Sequence, residues 1–500
     1  MLRRWRPRWY SCFVWCSFIS PTEEGTAVTE ARSAREAAAR ALFAVREEGA
    51  WSAPALRRYA AGLSARDAAL ATALTGGVLQ NRAMCDFYLA HFSSIRLKKV
   101  QPRILDLLRL AVYQMVWLDR IPNAAAVNES VALARSLCHA DKRTAGYVNG
   151  VLRALARSID HLPQPDCATK AEYYSLRYSH PQWLTELYLE QFGLKQTRLL
   201  LEADNAPAPT VLRVNTLRAQ MQQVQDELAA QGIRVTPHAC IPNCLTVSGT
   251  GNIEKLSAFA QGRVTVQDGA SQMSVYALDP QSGNRVLDCC AAPGGKSFFI
   301  AERMKNTGTV VSCDVYGHKL EKIQAGAERL GLTNIQTELQ DASEFRPEWE
   351  GKFDRVLCDV PCSGMGIIRK KPEIRYKDEK ELRGLPGIQR AILDNACRYV
   401  RPGGILVYST CTLLRRENEE IVDWFAQTHP MFQKTLFSIP VCEQNVEGSV
   451  TLLPHIHDTD GFFVAKFRKM AYYEDDPARG NETGGNTGTE NRRACIGECL

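Results

Sequence analysis

The first part of the chain repeats apolar residues with the period of an α-helix. In "AREAAARALFAVREEG" alanine, leucine, phenylalanine and valine recur every three to four residues up to Gly49. "SARDAALATALTGGVLQ" repeats this pattern behind Ser64, a residue type that caps helix N-termini. The strongly apolar "RILDLLRLAVYQMVWLDRIP" is stopped by Pro122. With two similar stretches downstream, the pattern predicts an all-helical domain over residues 31–160.

Residues 161–262 alternate between helical and strand-like patterns. A loop-like stretch, "HLPQPDCATKA", precedes a helix that opens at His180 and Pro181, and the chain then predicts strand, helix, strand, strand. This order is typical of a small α+β module of the RNA-recognition type. In "VLRVNTL" Arg213 and Asn215 share the face opposite the apolar side chains, where they meet either nucleic acid or solvent. We take both as candidate RNA contacts.

From residue 263 the chain alternates regularly between strands and helices. The predicted strands include "RVLDCC", "GTVVSCDV", "NIQTELQD", "FDRVLCDVP" and "ILVYSTC". All except "NIQTELQD" are followed by a helical stretch, and two further strands close the domain. This order predicts a Rossmann-like, seven-stranded and mostly parallel sheet domain over residues 263–470. The fold class is therefore multidomain, with an all-α part and an α/β part.

The two ends of the chain differ from this pattern. Residues 1–30 combine a basic start with an apolar stretch that mimics a signal peptide, but they lack a clean A-x-A cleavage site. We interpret them as an extension ahead of a domain that begins near Ala34. Residues 471–500 carry too few apolar residues to fold and predict a disordered tail. No other apolar segment approaches the ~18 residues of a membrane helix, so no membrane partner is expected.

Composition adds a compartment and a candidate partner. Seventeen cysteines lie mostly in apolar runs without zinc-like spacing, which favours reduced thiols in the cytoplasm and no metal site. The net charge of +6 permits a nucleic-acid partner without requiring one. Local basic stretches say more, and the stretch "IIRKKPEIRYK" makes Arg369, Lys370 and Lys371 candidate RNA contacts. We expect the protein to act as a monomer.

A glycine-bearing loop follows the first strand of the predicted sheet. In such sheets ligands bind beyond the carboxyl ends of the strands. Gly294 and Gly295 in "CCAAPGGKS" allow a ligand to approach the backbone closely. Asp314 ends the second strand about 20 residues later, the spacing at which an acid reaches a ribose hydroxyl. Asp341 ends the third strand, where a side chain can meet an adenine edge.

The same loop nearly matches a phosphate-binding loop, G-x-x-x-x-G-K-[ST]. However, Cys290 stands where the first glycine should be, and Pro293 removes a backbone N–H that a phosphate would need. The dinucleotide pattern G-x-G-x-x-G is also absent. A ligand that needs a glycine turn and a ribose-binding acid, but no phosphate cradle, is S-adenosylmethionine, which we predict as the cofactor.

Two cysteines stand at the ends of the fourth and fifth strands. Cys362 lies in "DVPCSGMG" and Cys411 in "LVYSTCTL", and the two strands are expected to be neighbours. A thiolate that adds to carbon 6 of cytosine makes carbon 5 nucleophilic enough to accept a methyl group. A carboxyl group such as Asp359 can assist at the ring nitrogen. A base must then remove the carbon-5 proton, so two thiols and one carboxyl form a complete set.

Four motifs in the same order resemble one enzyme family. "VQDGASQM", "VLDCCAAPGGKS", "DVPCSGMG" and "YSTCTLLRRENE" are similar to the Sun (Fmu, RsmB-type) family of RNA cytosine-5 methyltransferases. "LLRLAVYQMVWLDRIPNAAAVNESVALAR" resembles the NusB-type RNA-binding domain fused ahead of such enzymes. The resemblance covers roughly residues 34 to 469. It departs from the common pattern at Gly269 and Ser297, outside the catalytic set.

The resemblance implies roles that the chemistry alone leaves open. It implies that Cys411 is the nucleophile and that Cys362 assists product release, whereas the contact of Asp359 with the cytosine ring follows from the chemistry above. It also implies small-subunit (16S) ribosomal RNA as the substrate. Two alternatives stay open: the same chemistry on transfer RNA or DNA, and a non-catalytic assembly factor built on the NusB-like part. The implied cofactor contacts are Cys290, Ala291, Ala292, Pro293, Gly294, Gly295, Lys296, Asp314, Asp341 and Asp359.

Overall fold

The computed structural model describes residues 31–471. The predictions for residues 1–30 and for the tail, apart from Ala471, lie outside these described residues. Within them, no helix is both long enough and apolar enough to cross a membrane.

Seven helices form the N-terminal domain, as the apolar periodicity predicts. Ser64 caps the third helix by accepting a hydrogen bond from the Asp67 N–H at 3.1 Å. Alanine and leucine side chains from the helices fill a core of their own. The helices are α1 (Ala34–Glu47), α2 (Ser52–Ala60), α3 (Ala65–Gln80), α4 (Arg82–Phe92), α5 (Pro102–Trp117), α6 (Asn123–Cys138) and α7 (Lys142–Arg157).

Two linker helices lead into a small α+β module. The second linker helix is interrupted at Gly193, whose φ of 72° is left-handed. The module's antiparallel sheet has the order β2-β3-β1-β4 and extends past the predicted boundary at residue 262. The elements are α8 (Lys170–Tyr178), α9 (Gln182–Asn205), β1 (Thr210–Val214), α10 (Met221–Ala230), β2 (Arg234–Pro237), β3 (Cys244–Ser248), α11 (Ser257–Ala260) and β4 (Val264–Val266).

The C-terminal domain is a doubly wound sheet with helices on both faces. The strand order is β10-β14-β9-β8-β5-β6-β7, and β13 pairs with β14 to give eight strands, one more than expected. The central strands are parallel, and β14 runs antiparallel to β9. The elements of its first half are α12 (Gly269–Leu278), β5 (Arg285–Asp288), α13 (Gly295–Arg303), β6 (Thr309–Asp314), α14 (Gly317–Leu330), β7 (Ile335–Leu339) and β8 (Phe353–Asp359). Those of its second half are α15 (Glu379–Leu382), α16 (Leu385–Tyr399), β9 (Val400–Thr410), α17 (Glu419–Thr428), β10 (Phe432–Lys434), β11 (Leu436–Phe437), β12 (Val446–Glu447), β13 (Ser449–Leu452), α18 (Pro454–His457) and β14 (Phe462–Lys469).

The module docks on this domain through the two residues predicted to contact RNA. Arg213 is 1% exposed, pairs with Glu302 at 2.9 Å and lies over the Phe299 ring. Asn215, equally buried, donates to the carbonyls of Gly262 and Leu330 at 3.0 and 3.1 Å. The prediction that these two side chains contact RNA is therefore wrong. Alternation identified their common face correctly, but that face is covered by α13 and α14.

Candidate active site

Two parallel neighbouring strands deliver the two cysteines to one edge of the sheet. β8 and β9 pair in parallel with Asp359 opposite Ser409, so both chains leave the sheet together. Cys362 and Cys411 follow these strand ends, and their Sγ atoms lie 3.2 Å apart. Both side chains are buried, with Cys411 at 9% exposure and Cys362 at 2%. The site is thus a thiol pair rather than two isolated thiols.

Hydrogen bonds between the two loops fix this pair. The Ser363 and Thr412 hydroxyls, each next to one of the cysteines, lie 2.6 Å apart. The Ser363 N–H donates to the buried carboxylate of Glu417 at 2.8 Å. The Gly366 N–H donates to the Cys411 carbonyl at 2.9 Å. A Cβ on Gly366 would lie 2.1 Å from the Gly461 carbonyl oxygen, so this approach requires glycine.

The two thiols differ in their affinity for a proton. The pKa of Cys411 is lowered, because Cys362 hydrogen-bonds to its sulfur and because Lys296 and Lys371 lie near it. The pKa of Cys362 is raised well above the usual value, because the group is buried and faces the charge that Cys411 carries. Of the two thiols, Cys411 is therefore the one that loses its proton more readily, and the Cys362 thiol is placed to donate a hydrogen bond to it. Only the thiolate is a strong nucleophile.

Asp359 stands beside the thiols in a fixed orientation. The Lys296 ammonium contacts one carboxylate oxygen at 2.7 Å, and the Ser409 hydroxyl donates to the other at 2.8 Å. The Asp359 side chain is 24% exposed, so its carboxylate is open to a ligand. Lys296 connects the predicted cofactor loop with the predicted catalytic residues. It belongs to the glycine loop, it pairs with Asp359, and its charge lowers the pKa of Cys411.

The glycine loop follows β5 and turns into α13. The Ala291 N–H donates to the Cys313 carbonyl of the adjacent strand at 2.7 Å, and the Ala292–Pro293 bond is cis. Gly294 has a φ of 107°, and a Cβ there would lie 2.4 Å from the Phe298 ring. The loop therefore depends on glycine at this position. Cys290 stands at the start of this loop, and burial raises the pKa of its thiol well above the usual value. The thiol is therefore neutral where it lines the loop.

The two predicted cofactor acids end the next two strands along the same edge. Asp314 is the last residue of β6, and its carboxylate accepts from the Tyr316 N–H at 3.1 Å and pairs with Lys319 at 3.3 Å. Asp341 follows β7 and accepts from the N–H and hydroxyl of Ser343 at 2.9 and 2.6 Å. The glycine loop, both acids and both cysteines thus lie at the carboxyl ends of five adjacent strands.

Comparison with known proteins supports the same division of the chain. Residues 275–468 match the model of the 16S rRNA methyltransferase RsmB/F family, 32–157 the NusB family, and 180–254 the ferredoxin-like domain of RsmF/B-like methyltransferases. "Ribosomal RNA small subunit methyltransferase B" of Vibrio cholerae is 34% identical over 87% of this chain and 97% of its own length. The Bacillus subtilis protein named "Probable ribosomal RNA small subunit methyltransferase B" is 38% identical over 87% and 99%. The chain belongs to the RsmB family of ribosomal RNA small-subunit methyltransferases.

Solved structures agree with the fold. The crystal structure of PH0851 superposes with a TM-score of 0.74 at 27% identity, over 87% of this chain and 98% of that one. A methyltransferase homolog protein from Pyrococcus horikoshii gives 0.54 at 27% identity, over 61% and 100%. The predicted fold class, with a NusB-like helical domain, an α+β module and a Rossmann-like sheet domain, is confirmed.

The residues at the sheet edge fit the methyl donor of the family. S-adenosylmethionine is the predicted cofactor, and membership of this methyltransferase family confirms it. Beside the glycine loop, both polar atoms of the Gln267 side-chain amide are buried without a hydrogen-bond partner. This amide lies 3.7 Å from the position of a Cβ on Gly295. An unpartnered buried amide is costly, and the ammonium and carboxylate of a bound amino acid are groups that would satisfy it.

The structure adds three polar residues that the sequence analysis did not select: Gln267, Asp288 and Glu417. Asp288 ends β5, is fully buried, and accepts from the Ser297 hydroxyl at 2.7 Å. Burial raises the pKa of its carboxyl to about 7. The signal for Asp288 was an acid inside the apolar run "RVLDCC", and the signal for Gln267 was its place in the motif "VQDGASQM". Glu417 gave no signal, since it looked like one acid among several.

The basic stretch lies next to the site but is largely occupied. Arg369 contacts Asp460 at 3.4 Å, and Lys370 pairs with both Asp460, at 2.8 Å, and Asp268. Both carboxylates are buried. These pairs engage both charges within the protein, and the contact of Arg369 and Lys370 with RNA stays a prediction. Lys371 lies over the Trp51 ring, 4.4 Å from its centroid, and its contact with RNA stays a prediction.

Proposed function

We propose that this protein transfers a methyl group from S-adenosylmethionine to carbon 5 of a specific cytosine in small-subunit (16S) ribosomal RNA. The observation that carries the proposal is the 3.2 Å contact between the two thiol sulfurs. Both belong to loops beside Lys296 and Asp359, at the sheet edge that carries the glycine loop. The names of the relatives support ribosomal RNA as the substrate.

Cys411 supplies the nucleophile in this mechanism. Its lowered pKa favours the thiolate, which adds to carbon 6 of the cytosine and forms a carbon–sulfur bond. The electrons of the carbon 5–carbon 6 double bond move onto carbon 5 and the ring, and the ring nitrogen N3 takes up a proton from solvent, which it releases again when the thiolate is expelled. Asp359, held by Lys296 and Ser409, contacts the ring where this proton resides.

S-adenosylmethionine supplies the electrophilic methyl group that carbon 5 accepts. Carbon 5 then carries both a hydrogen and a methyl group. Cys362 removes that hydrogen as a proton, the double bond forms again, and the Cys411 thiolate is expelled. The product is 5-methylcytosine, and Cys411 returns to its starting state.

The order of events explains why Cys362 is protonated at the start and basic later. Part of the increase in the Cys362 pKa comes from the charge on Cys411. When Cys411 bonds to cytosine, its negative charge leaves the thiol pair and the pKa of Cys362 falls. Cys362 can then lose its proton and act as the base. The pair therefore makes the second step depend on the first.

The test is to trap the covalent intermediate. Cys362→Ala protein, incubated with cofactor and 16S RNA, is expected to give a slow-migrating protein–RNA band on a denaturing gel. Cys411→Ala should give neither band nor product. Substrate class is decided by offering 16S RNA, transfer RNA or DNA to the same variant. If Cys411→Ala still methylates RNA, or Cys362→Ala forms no adduct with any nucleic acid, the proposed chemistry fails.

A further inference from the structure

Two adjacent residues, Glu417 and Asn418, bond to the loops of both cysteines. They stand at the end of a 3₁₀-helix over Arg415–Glu417 and directly before α17. Both are fully buried. We call them the clamp pair, because the side chain of Glu417 bonds to the loop of Cys362 and the side chain of Asn418 bonds to the loop of Cys411.

Glu417 and its partner Gln389 hold the backbone on both sides of Cys362. The Oε2 atom of Glu417 accepts from the Ser363 N–H at 2.8 Å and from the Gln389 side-chain amide at 2.9 Å. The same amide donates to the Pro361 carbonyl at 3.0 Å. Pro361 and Ser363 are the residues directly before and after Cys362. The backbone of Cys362 is therefore fixed at both of its ends.

Asn418 holds Cys411 in the same way. The Thr410 hydroxyl donates to the Asn418 side-chain oxygen at 2.6 Å, and the Asn418 side-chain nitrogen donates to the Thr412 carbonyl at 3.0 Å. Thr410 and Thr412 are the residues directly before and after Cys411. Since one peptide bond joins Glu417 to Asn418, the two sets of hydrogen bonds fix the spacing of the two cysteine loops.

The sheet in turn fixes the clamp pair. The Tyr408 hydroxyl, on β9, donates to the Glu417 carbonyl at 2.6 Å. The Ile421 N–H, in α17, donates to the Asn418 carbonyl at 3.1 Å. The backbone of the pair is thus held by groups outside both cysteine loops. Loss of one side chain should therefore release one loop and leave the other in place.

A glutamate is a costly residue at this place. Both hydrogen bonds to its carboxylate reach Oε2, whereas Oε1 is buried without a hydrogen-bond partner among the described residues. A buried and unpartnered carboxylate oxygen costs stability, and an apolar side chain would avoid that cost. Stability alone does not explain Glu417, which directs attention to its contact with the loop of Cys362.

We propose that the clamp pair positions the two catalytic cysteines, with Glu417 holding Cys362 for proton removal from carbon 5 and Asn418 holding Cys411 for attack on carbon 6. This inference rests on the proposed function, which assigns these two steps. Both are positioning residues, because each acts through the backbone of a cysteine. A displacement of about 1 Å at a reacting group can cost roughly 100-fold in rate. Loss of either side chain should therefore slow a different step.

The test follows the two steps separately with labelled RNA. Formation of the slow-migrating adduct band is measured in a single turnover, and release is measured as decay of that band after an excess of unlabelled RNA. Glu417→Met should slow release at least about tenfold and formation less than about threefold, so that adduct accumulates as in Cys362→Ala. Asn418→Leu should slow formation at least about tenfold, without accumulation of adduct.

Three further variants separate positioning from a general loss of structure. Glu302→Met makes the same change at another buried carboxylate of the domain, which pairs with Arg213, and should change neither rate per folded molecule. Glu417→Gln keeps an oxygen acceptor and should release at nearly the wild-type rate. Gln389→Met removes the donor to the Pro361 carbonyl and should slow release at least about threefold, which tests the inference even if Glu417→Met does not fold.

A measurement without RNA or cofactor tests the geometry alone. Diamide takes up two hydrogen atoms from neighbouring thiols and joins the sulfurs as a disulfide, and peptide mass spectrometry measures the Cys362–Cys411 cross-link. The cross-linking rate should fall at least about threefold in Glu417→Met and stay unchanged in Glu302→Met, because disulfide formation requires a specific geometry.

Three results would overturn the inference: unchanged release or cross-linking in Glu417→Met, equal slowing of formation and release in that variant, or release in Glu417→Gln as slow as in Glu417→Met. A different result would refute the proposed chemistry instead. If Cys362→Ala forms no adduct while Glu417→Met still slows cross-linking, the clamp pair positions the thiols but the covalent mechanism fails.

Discussion

Two neighbours pack against the methyltransferase domain, and they use different kinds of contact. The ferredoxin-like module contacts it through the buried pair of Arg213 and Glu302, which lies in the last turn of α13. The helical domain instead contacts residues 371–377, here called the docking segment, which continue from the loop of Cys362 and include a 3₁₀-helix over Pro372–Tyr376. The first interface lies on the side of α13 and does not include the loops of the two cysteines. The second continues directly from the candidate active site, so we expect damage to this interface to affect the proposed reaction.

The largest expected effect concerns the ion pair beneath the module. Glu302→Gln leaves the fully buried Arg213 without its carboxylate, and this should lower the free energy of unfolding by roughly 4 kcal/mol. Arg213→Met combined with Glu302→Leu should recover most of that loss. Urea denaturation measures both. In Glu302→Gln the rate of adduct formation per folded molecule should not change. A tenfold loss of this rate would show that the module interface affects the reaction as well, and would contradict the proposed difference between the two interfaces.

A substitution in the docking segment should cost somewhat less stability than Glu302→Gln, but it should also reduce the methylation rate. Arg375→Met removes the donors that satisfy several carbonyls and should cost roughly 3 kcal/mol. Because the segment continues into the cysteine loop, the methylation rate of the folded fraction should fall by about tenfold or more. Arg401→Met, at an exposed pair with Asp354, is the matched control and should change neither quantity much. Full activity in Arg375→Met would show that the two interfaces are equivalent.

The contact between the docking segment and the linker helix α9 should also respond to pH. Burial raises the pKa of Asp204, whose carbonyl faces Arg375, to about 7. The folded protein thus holds this proton until about pH 7, whereas the unfolded chain releases it near the usual value. The contribution of Asp204 to stability is therefore largest at acid pH and declines as pH rises toward 7.

Asp204→Asn should remove that decline, which we expect to be about 2 kcal/mol. Comparison of the two proteins by urea denaturation at pH 5 and at pH 8 measures it. His180, which contacts Asp204 at 3.3 Å, has a pKa lowered by burial and contributes an opposite slope that is common to both proteins. A variant that follows the wild-type curve would contradict the assignment.

The smallest effect is expected at the start of α2. Ser52→Ala removes one hydroxyl donor to Glu373 but keeps the N–H donor, so the cost should be about 1 kcal/mol or less. Thermal unfolding would detect this loss of stability. Ser64→Ala, at the exposed N-cap of α3, is the control for removing a serine hydroxyl at another helix start. If the docking segment responds to its anchor, Ser52→Ala should lower the methylation rate slightly while Ser64→Ala should not.

The sequence predicted the sheet edge better than the domain interfaces. Apolar runs that end in Asp359, Asp314 and Cys411 predict strand ends, and parallel strands place such ends together. The distance between two sulfurs and the difference in their pKa values depend on loop hydrogen bonds between residues such as Ser363 and Thr412, which no pattern reveals. The module's Arg213 was misassigned for a related reason. Alternation shows which face a side chain occupies but not what covers that face.

The basic stretch teaches the same lesson about charge. Arg369 and Lys370 looked like a solvated surface for RNA, yet two buried carboxylates distant in sequence, Asp268 and Asp460, neutralise them. A local excess of charge predicts a partner but cannot say whether that partner is a nucleic acid or another segment of the same chain.

The antiparallel strand β14 has a consequence for the synthesis of the protein. It pairs with β9 up to Thr410, and the Gly461 N–H just before it donates to the Gly366 carbonyl, behind both cysteine loops. A growing chain therefore carries both thiols for many residues before the strand that supports them has left the ribosome. The candidate site is therefore fully supported only after β14, the last strand within residues 31–471, has been synthesised, because the residue before this strand bonds to the loop of Cys362.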